Sequence, residues 1–269
     1  MSLKYKKVLL LGATSGIGKA LAAKFVETGT SVIAVGRRQD KLDEFAQQYG
    51  SKGSVDTAAF DITDLDKIPG FAADMFKKHP DIDCLFLNSG LQRQIDWSKP
   101  ESVDLDKIDL EWRTNYLSYM HLSKAFLPYL MKKAPQETSI VFTTSGLALV
   151  PITGCPNYCA TKAALHHMIL AMRQQLKEAN SNVKIIELYP PAVQTELHDE
   201  KHQPELGDKG KHIGMPLDEF TNEAFEGLCK EDNEQIPVQM VKTFMGFNSW
   251  EQERQKAFHQ MNEFVKKNH

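Results

Sequence analysis

A short apolar run, Val8-Leu9-Leu10-Leu11, is followed at once by Gly12-Ala13-Thr14-Ser15-Gly16-Ile17-Gly18 and then by an amphipathic segment, Ile17 to Thr28. Strand, glycine-rich turn and helix in that order constrain the fold more than anything else in the chain. Glycine permits a tight turn and close approach of another backbone or a ligand. The helix behind it then offers unpaired N–H groups and a positive dipole end to a pyrophosphate. Three glycines alone also fit an ordinary strand-to-helix turn; the pattern of the remaining chain decides between the two readings.

That pattern is repetition. Strands are expected at Val8–Leu11, Ser31–Gly36, Ser54–Phe60, Asp83–Leu87, Ser139–Thr144, Val183–Tyr189 and around Ile236–Met240. Helices are expected at Ile17–Thr28, Asp40–Tyr49, Leu65–Lys78, Leu110–Lys133 and Asn157–Ala179. This alternation predicts an α/β fold, a Rossmann-type doubly wound parallel sheet of about seven strands with helices on both faces. The length of 269 residues suits a single nucleotide-binding domain over 1–269. The polar stretch Thr195 to Pro216 is long for a plain connection and reads as a substrate lid. The C-terminal extension, about 248–269, sets Trp250, Phe258, Met261, Phe264 and Val265 near one helical face, for docking on its own core or on a neighbouring subunit.

Composition removes several classes of function. A net charge of −3 offers no general basic field for nucleic acid or an acidic membrane, and no stretch reaches the ~20 apolar residues of a membrane span. Cys84, Cys155, Cys159 and Cys229 lack CxxC spacing and read as reduced core thiols. The N-terminus has no secretory pattern, so a cytoplasmic address is expected. His166, His167, His198, His202 and His212 have no carboxylate partner at ligand spacing, so no metal is expected. Small-molecule chemistry leads.

In a dinucleotide fold the ribose selector stands at the end of the second strand, where a carboxylate favours NAD and arginine NADP. Here the chain reads Gly36-Arg37-Arg38-Gln39. A 2′-phosphate calls for a guanidinium fork, so NADP(H) is favoured over NAD(H). Otherwise the two arginines are solvated loop charges. Asp40, the carboxylate that would oppose NADP, stands where a helix cap is expected.

After the fifth strand, Tyr158-Cys159-Ala160-Thr161-Lys162 puts a phenol and an ammonium four residues apart on one helical face. A cation ~4 Å from a phenol is worth ~4 kcal/mol at an effective dielectric of ~20, which brings a group of ordinary pKa ~10 toward neutral pH. Ser145 stands at the carboxyl edge of the sheet, where ligands bind in open α/β folds, and can hold a substrate oxygen.

Gly12 to Gly18, Asn88, Asn115, Ser145, Tyr158 and Lys162, in this order and spacing, resemble the short-chain dehydrogenase/reductase family, over nearly the whole chain up to about Met240. The resemblance implies a hydride exchanged between NADP(H) and a carbonyl or secondary alcohol, with Tyr158 as acid/base, Ser145 orienting the carbonyl, and Lys162 also binding the nicotinamide ribose. Asn115 matches the asparagine that holds a relay water; otherwise it is a polar mid-helix residue. The dinucleotide would lie among Gly12, Thr14, Ser15, Gly16, Ile17, Gly18, Arg37, Arg38, Asp61, Ile62, Asn88, Gly90, Tyr158, Lys162, Pro190, Val193 and Thr195. Asp61 matches the adenine contact and Thr195 a carboxamide contact, though both also fit caps or turns.

The chain departs from the family pattern at Leu11, at Ser89 within Leu87-Asn88-Ser89-Gly90, and at Pro190-Pro191. The first two concern the sheet. The third removes an N–H and fixes φ near the nicotinamide. Pro190 to Leu197 is similar to a DltE-like subgroup of the family. Leu147, Ile152, Thr153 and Gly154 are expected near the substrate. The helix Asn157–Ala179 is apolar on more than one side, which suits either a subunit interface in a homodimer or homotetramer or burial within the monomer. A nucleotide-sugar epimerase would carry GxxGxxG and a longer chain. A non-catalytic NADP(H)-binding redox sensor is the alternative of a different class, and such proteins usually lack the tyrosine or lysine.

Overall fold

The computed structural model describes residues 2–200 and 203–268. Strands β1 (Lys7–Leu11), β2 (Ser31–Gly36), β3 (Val55–Ala59), β4 (Cys84–Leu87), β5 (Thr138–Thr143), β6 (Val183–Tyr189) and β7 (Gln235–Pro237) form one parallel sheet. Their order is β3-β2-β1-β4-β5-β6-β7. The order reverses between β1 and β4, which opens a crevice at the carboxyl edge where the two halves part.

The strands are apolar on both faces because both faces are covered. Val8 and Leu10 of β1 join a core with Phe25 of α1 (Gly16–Glu27), Phe45 of α2 (Gln39–Tyr49) and Phe220 of α7 (Leu217–Leu228). Leu9 and Leu11 point the other way. They meet Phe76 of α3 (Ile68–Lys78), Phe126 of α5 (Ser118–Met131) and Ile169 of α6 (Pro156–Glu178). The alternation along one strand thus builds the two halves of the core.

Several boundaries differ from expectation for identifiable reasons. The long segment after β4 begins at α4 (Leu105–Trp112), passes through a π-helical turn, Arg113–Leu117, and continues as α5. Beyond β7 the chain turns at once into α8 (Gln239–Phe244), so Met240 is helical and not part of the last strand. Helix α7 was hidden behind the polar stretch before it; its buried Phe220, Ala224, Phe225 and Leu228 are spaced for one helical face. On α6, Leu165, Ile169 and Leu170 are buried within the monomer, while Met168 and Met172 are partly buried against the same core.

Of the two dockings expected for the C-terminal stripe, helix α9 (Trp250–Asn268) does not make the one on its own core. Met261, Phe264 and Val265 are exposed, as is Trp250. The first turn anchors the helix instead, through charge. Buried Glu251 accepts from His166 Nε2 at 3.1 Å, while His166 Nδ1 lies 2.9 and 3.0 Å from the two carboxylate oxygens of Glu187 on β6. Arg254 Nε and Gln255 Nε2 complete the Glu251 shell at 2.8 and 2.7 Å.

Burial pushes the His166 imidazole down, but the two carboxylates outweigh it and hold it at about 9. Burial raises Glu251, yet His166, Arg254 and Gln255 bring it to about 2. Since His166 is raised above its ordinary 6.5, its contribution is full below that pH and fades as pH rises through about 9. Glu251 is depressed from 4.5, so its contribution is full above that pH and fades toward about 2. A Glu251→Gln variant should lose about 3 kcal/mol in urea unfolding near pH 6, because half-buried Arg254 loses its carboxylate and buried His166 keeps only Glu187. The variant should keep part of the alkaline decline in stability, because Glu187, the stronger of the two carboxylate influences on His166, is still in place.

Candidate active site

The turn after β1 is fixed by two bonds: Gly12 and Ala13 N–H both donate to Val35 O, at 2.9 and 3.0 Å. Gly12 has φ of 82°, and a Cβ there would lie 2.8 Å from Ser89 N. At Gly18 a Cβ would lie 2.0 Å from Gly12 O. Only glycines allow α1 to start this close to the turn. Ser15 is the N-cap in extended conformation and makes no side-chain cap bond, so the helix start keeps its N–H donors for another acceptor.

Gly12, Thr14, Ser15, Gly16 and Ile17 line a cavity of about 780 Å³ at the sheet's carboxyl edge. At one end stand Arg37, Arg38, Asp61 and Ile62. Arg38 donates to Thr14 Oγ1 at 3.1 Å and to Glu196 at 3.0 Å. Arg37 lies 3.6 Å from Asp61, whose carboxylate is raised by burial but lowered further by Thr63 and Arg37, for a net shift below its ordinary value. Asp40 does not cap α2: the N-cap is Arg38, and Asp40 lies in the first helical turn, where its charge complements the dipole.

The same cavity is lined by Asn88, Gly90, Ser145, Tyr158, Lys162, Pro190, Val193 and Thr195. Lys162 Nζ donates to Thr143 O at 2.9 Å and lies 5.6 Å from the centre of the Tyr158 ring. Tyr158 is 8% exposed and packs with Cys155, Cys159 and Leu147. Burial pushes its phenol well above the ordinary value, and only the Ser145 hydroxyl bonded to it pulls the other way. This reverses the sequence-based expectation of a phenol near neutrality. The ammonium gives its hydrogen bond to Thr143 O, and desolvation of the phenol is the largest effect on it. Burial also lowers Lys162, to about 8, with Glu111 and Glu187 opposing.

Asn115 sits inside the π-helical turn, a feature that often marks functional sites. Its side chain accepts from Leu91 N at 2.9 Å and donates to Leu91 O at 2.8 Å and to Thr161 Oγ1 at 3.1 Å. It does not line the cavity, whereas Thr114 beside it does. A Cβ on Gly90 would lie 3.7 Å from Asn115 Oδ1 and 3.9 Å from Lys162 Nζ, so the three are neighbours. Gly18 likewise supports the loop from behind without lining the cavity.

Pro190-Pro191 is accommodated. Pro190 O accepts from Gly146 N at 2.8 Å, and Ala192 to Gln194 pairs with Met215 through N–H to O bonds of 2.9 and 3.0 Å. Leu147 and Ile152 line the cavity; Thr153 and Gly154 do not. His198, Leu206 and Ile213, within the stretch expected to form a lid, line it too, while sequence reasoning missed Arg93, Gln94 and Met245, which also do. For Arg93 and Gln94 their place just past β4 was a usable signal. His198, on a turn after Thr195, is buried with no partner for Nδ1. Among the described residues no group of His, Cys, Asp and Glu has the makings of a metal site, and His202 lies outside them.

The glycine-rich loop and Ser145, Tyr158 and Lys162 share one cavity, which makes it the candidate active site. The chain belongs to the short chain dehydrogenase family, whose model matches residues 6–206. It is 34% identical over 265 residues to the "Uncharacterized oxidoreductase DltE" of Bacillus subtilis (strain 168), covering 97% of this chain and 98% of the relative. It is 31% identical over 195 residues to the "NADP-dependent 3-hydroxy acid dehydrogenase" of Schizosaccharomyces pombe, covering 71% and 73%. Its fold matches that of a short chain dehydrogenase/reductase from Burkholderia phymatum in complex with NAD, with a TM-score of 0.78, 18% identity and coverage of 90% and 91%.

Proposed function

We propose that this oxidoreductase exchanges hydride between NADP(H) and a carbonyl or secondary alcohol, with Tyr158 as its acid/base. The observation that carries this reading is that the phosphate loop, Arg37, Arg38, Ser145, Tyr158 and Lys162 line one cavity. The residues fit the dinucleotide: a Cβ at Gly16 would lie 3.2 Å from Thr195, so the loop and the turn after β6 leave a narrow cradle that side chains would fill. Arg37 and Arg38 answer the 2′-phosphate, and no acidic residue replaces them at the end of β2. NADP(H) supplies the hydride when bound.

Ser145 then holds the substrate oxygen. Tyr158 delivers a proton to it from the phenol O–H, a state that its burial preserves through neutral pH. Lys162, pinned to Thr143 O, maintains the positive side of the site and replenishes the proton, with Asn115 fixing Leu91 and Gly90 beside it. The stretch Thr195 to Pro216 acts as the lid, since Thr195, His198, Leu206 and Ile213 line the cavity. A homo-oligomer accounts for the exposed Leu110 and Leu117 and for the apolar stripe of α9. No helix among the described residues is long and apolar enough to cross a membrane, and we place the enzyme in the cytoplasm.

The test is NADPH consumption with a panel of carbonyl compounds as a function of pH. Reduction should fall on the alkaline side with an apparent pKa of about 8, where Lys162 loses its proton. Failure of every carbonyl and every alcohol, with either nucleotide, would overturn the proposal.

A further inference from the structure

The substrate end of the cavity contains a cation that neither the nucleotide nor the proton transfer uses. Arg93 lies on the segment that leaves β4, half-buried and lining the cavity with Ser145 and Tyr158. That segment is held at several points. Leu91 is bonded to Asn115 through both backbone groups, Arg93 N donates to Glu111 Oε1 at 3.0 Å, and Ile95 N donates to Gly154 O at 3.1 Å. It therefore runs from beside Lys162 to the loop that precedes Tyr158, and the root of the Arg93 side chain is fixed.

The guanidinium gives one N–H to Gln92 O at 2.8 Å. Among the described residues it has no carboxylate within ion-pair distance, although its charge reaches Glu111 and helps to offset the rise that burial causes there. Glu111 is buried, and its two oxygens are taken by Arg93 N and Asn157 Nδ2. The same cavity is also lined by the apolar Leu91, Leu147, Ile152, Leu206, Ile213 and Met245. Gln94 Nε2 donates to Gln203 Oε1 at 3.0 Å and Gln203 Nε2 to Leu197 O at 2.8 Å, which links the Arg93 segment to the turn carrying His198 and its unpartnered Nδ1.

A planar fork with free donors, in a cavity with these apolar lining residues, matches a carboxylate in shape and charge. One guanidinium balances a monoanion and falls short of a phosphate, which carries close to two charges at neutral pH. We infer that the substrate is a carbonyl compound, or its alcohol, that bears a carboxylate, and that Arg93 reads this carboxylate. The inference rests on Ser145 and Tyr158 being the reacting end of the same cavity.

Two measurements test it. In the first, protein saturated with NADP⁺ is titrated with hexanoate and with hexanamide by calorimetry. Hexanoate should bind tighter, and Arg93→Gln should abolish the difference while Arg93→Lys retains part of it. In the second, oxo acids with two to four carbons between carbonyl and carboxylate are compared with their methyl esters. The acid-to-ester ratio of kcat/KM should fall about 10- to 100-fold in Arg93→Gln. Equal binding of hexanoate and hexanamide to the wild type, or equal losses for acid and ester in the variant, would overturn the inference. Arg93-dependent binding of hexanoate without turnover of any carbonyl would uphold the carboxylate site and count against the hydride-transfer reading alone.

Discussion

Replacing Tyr158 by phenylalanine should lower kcat for carbonyl reduction by about a thousandfold, the scale on which a positioned general acid acts, while NADPH still binds. Phenylalanine keeps the ring that packs with Cys155, Cys159 and Leu147, so the helix start should fold as before. Lys162 stays bonded to Thr143 O, and Ser145 can still meet the substrate oxygen. The variant lacks only the phenol proton that burial holds in place at neutral pH. Steady-state kinetics and a fluorescence titration of NADPH on the same preparation separate the two effects. A variant with near-normal kcat would remove Tyr158 from the chemistry and revive the reading of a nucleotide-binding sensor.

Arg37→Asp should collapse the ratio of NADPH to NADH affinity by about 100-fold, through loss of a charge-assisted fork and gain of a repelling carboxylate. The guanidinium is 63% exposed and 3.6 Å from Asp61, so a 2′-phosphate can recruit it without breaking a buried bond. The introduced carboxylate would also stand beside Asp61 and weaken any anion bound there further. Parallel fluorescence titrations with both nucleotides measure the ratio. An unchanged ratio would move the phosphate contact to Arg38, which already spans Thr14 and Glu196.

Much of this site was legible because it depends on periodic or local chemistry. The loop Gly12 to Gly18 could be read from strand, glycines and helix in succession, and Tyr158 and Lys162 from a four-residue spacing on one helix. The doubly wound sheet is implied by the repeated alternation of apolar strand and amphipathic helix, which the observed order β3-β2-β1-β4-β5-β6-β7 fulfils. The features that escaped depend on contacts distant in sequence. Glu111 reads as a solvated helix charge, yet it is buried because Arg93 N and Asn157 come to it from two other elements. Glu251 reads the same way until His166, 85 residues away, is placed against it. The upward push on Tyr158 also lay beyond sequence, since spacing gives the nearness of Lys162 but not the direction of its ammonium or the depth of the phenol.

The most direct measurement is the fate of the hydride. Protein mixed with NADPH carrying deuterium at the transferable C4 position and with an oxo acid should yield the hydroxy acid with one deuterium on the carbinol carbon, one label for each nicotinamide oxidised. Product without the label, or NADPH that binds and is never oxidised across the carbonyl panel, would contradict hydride transfer in this cavity.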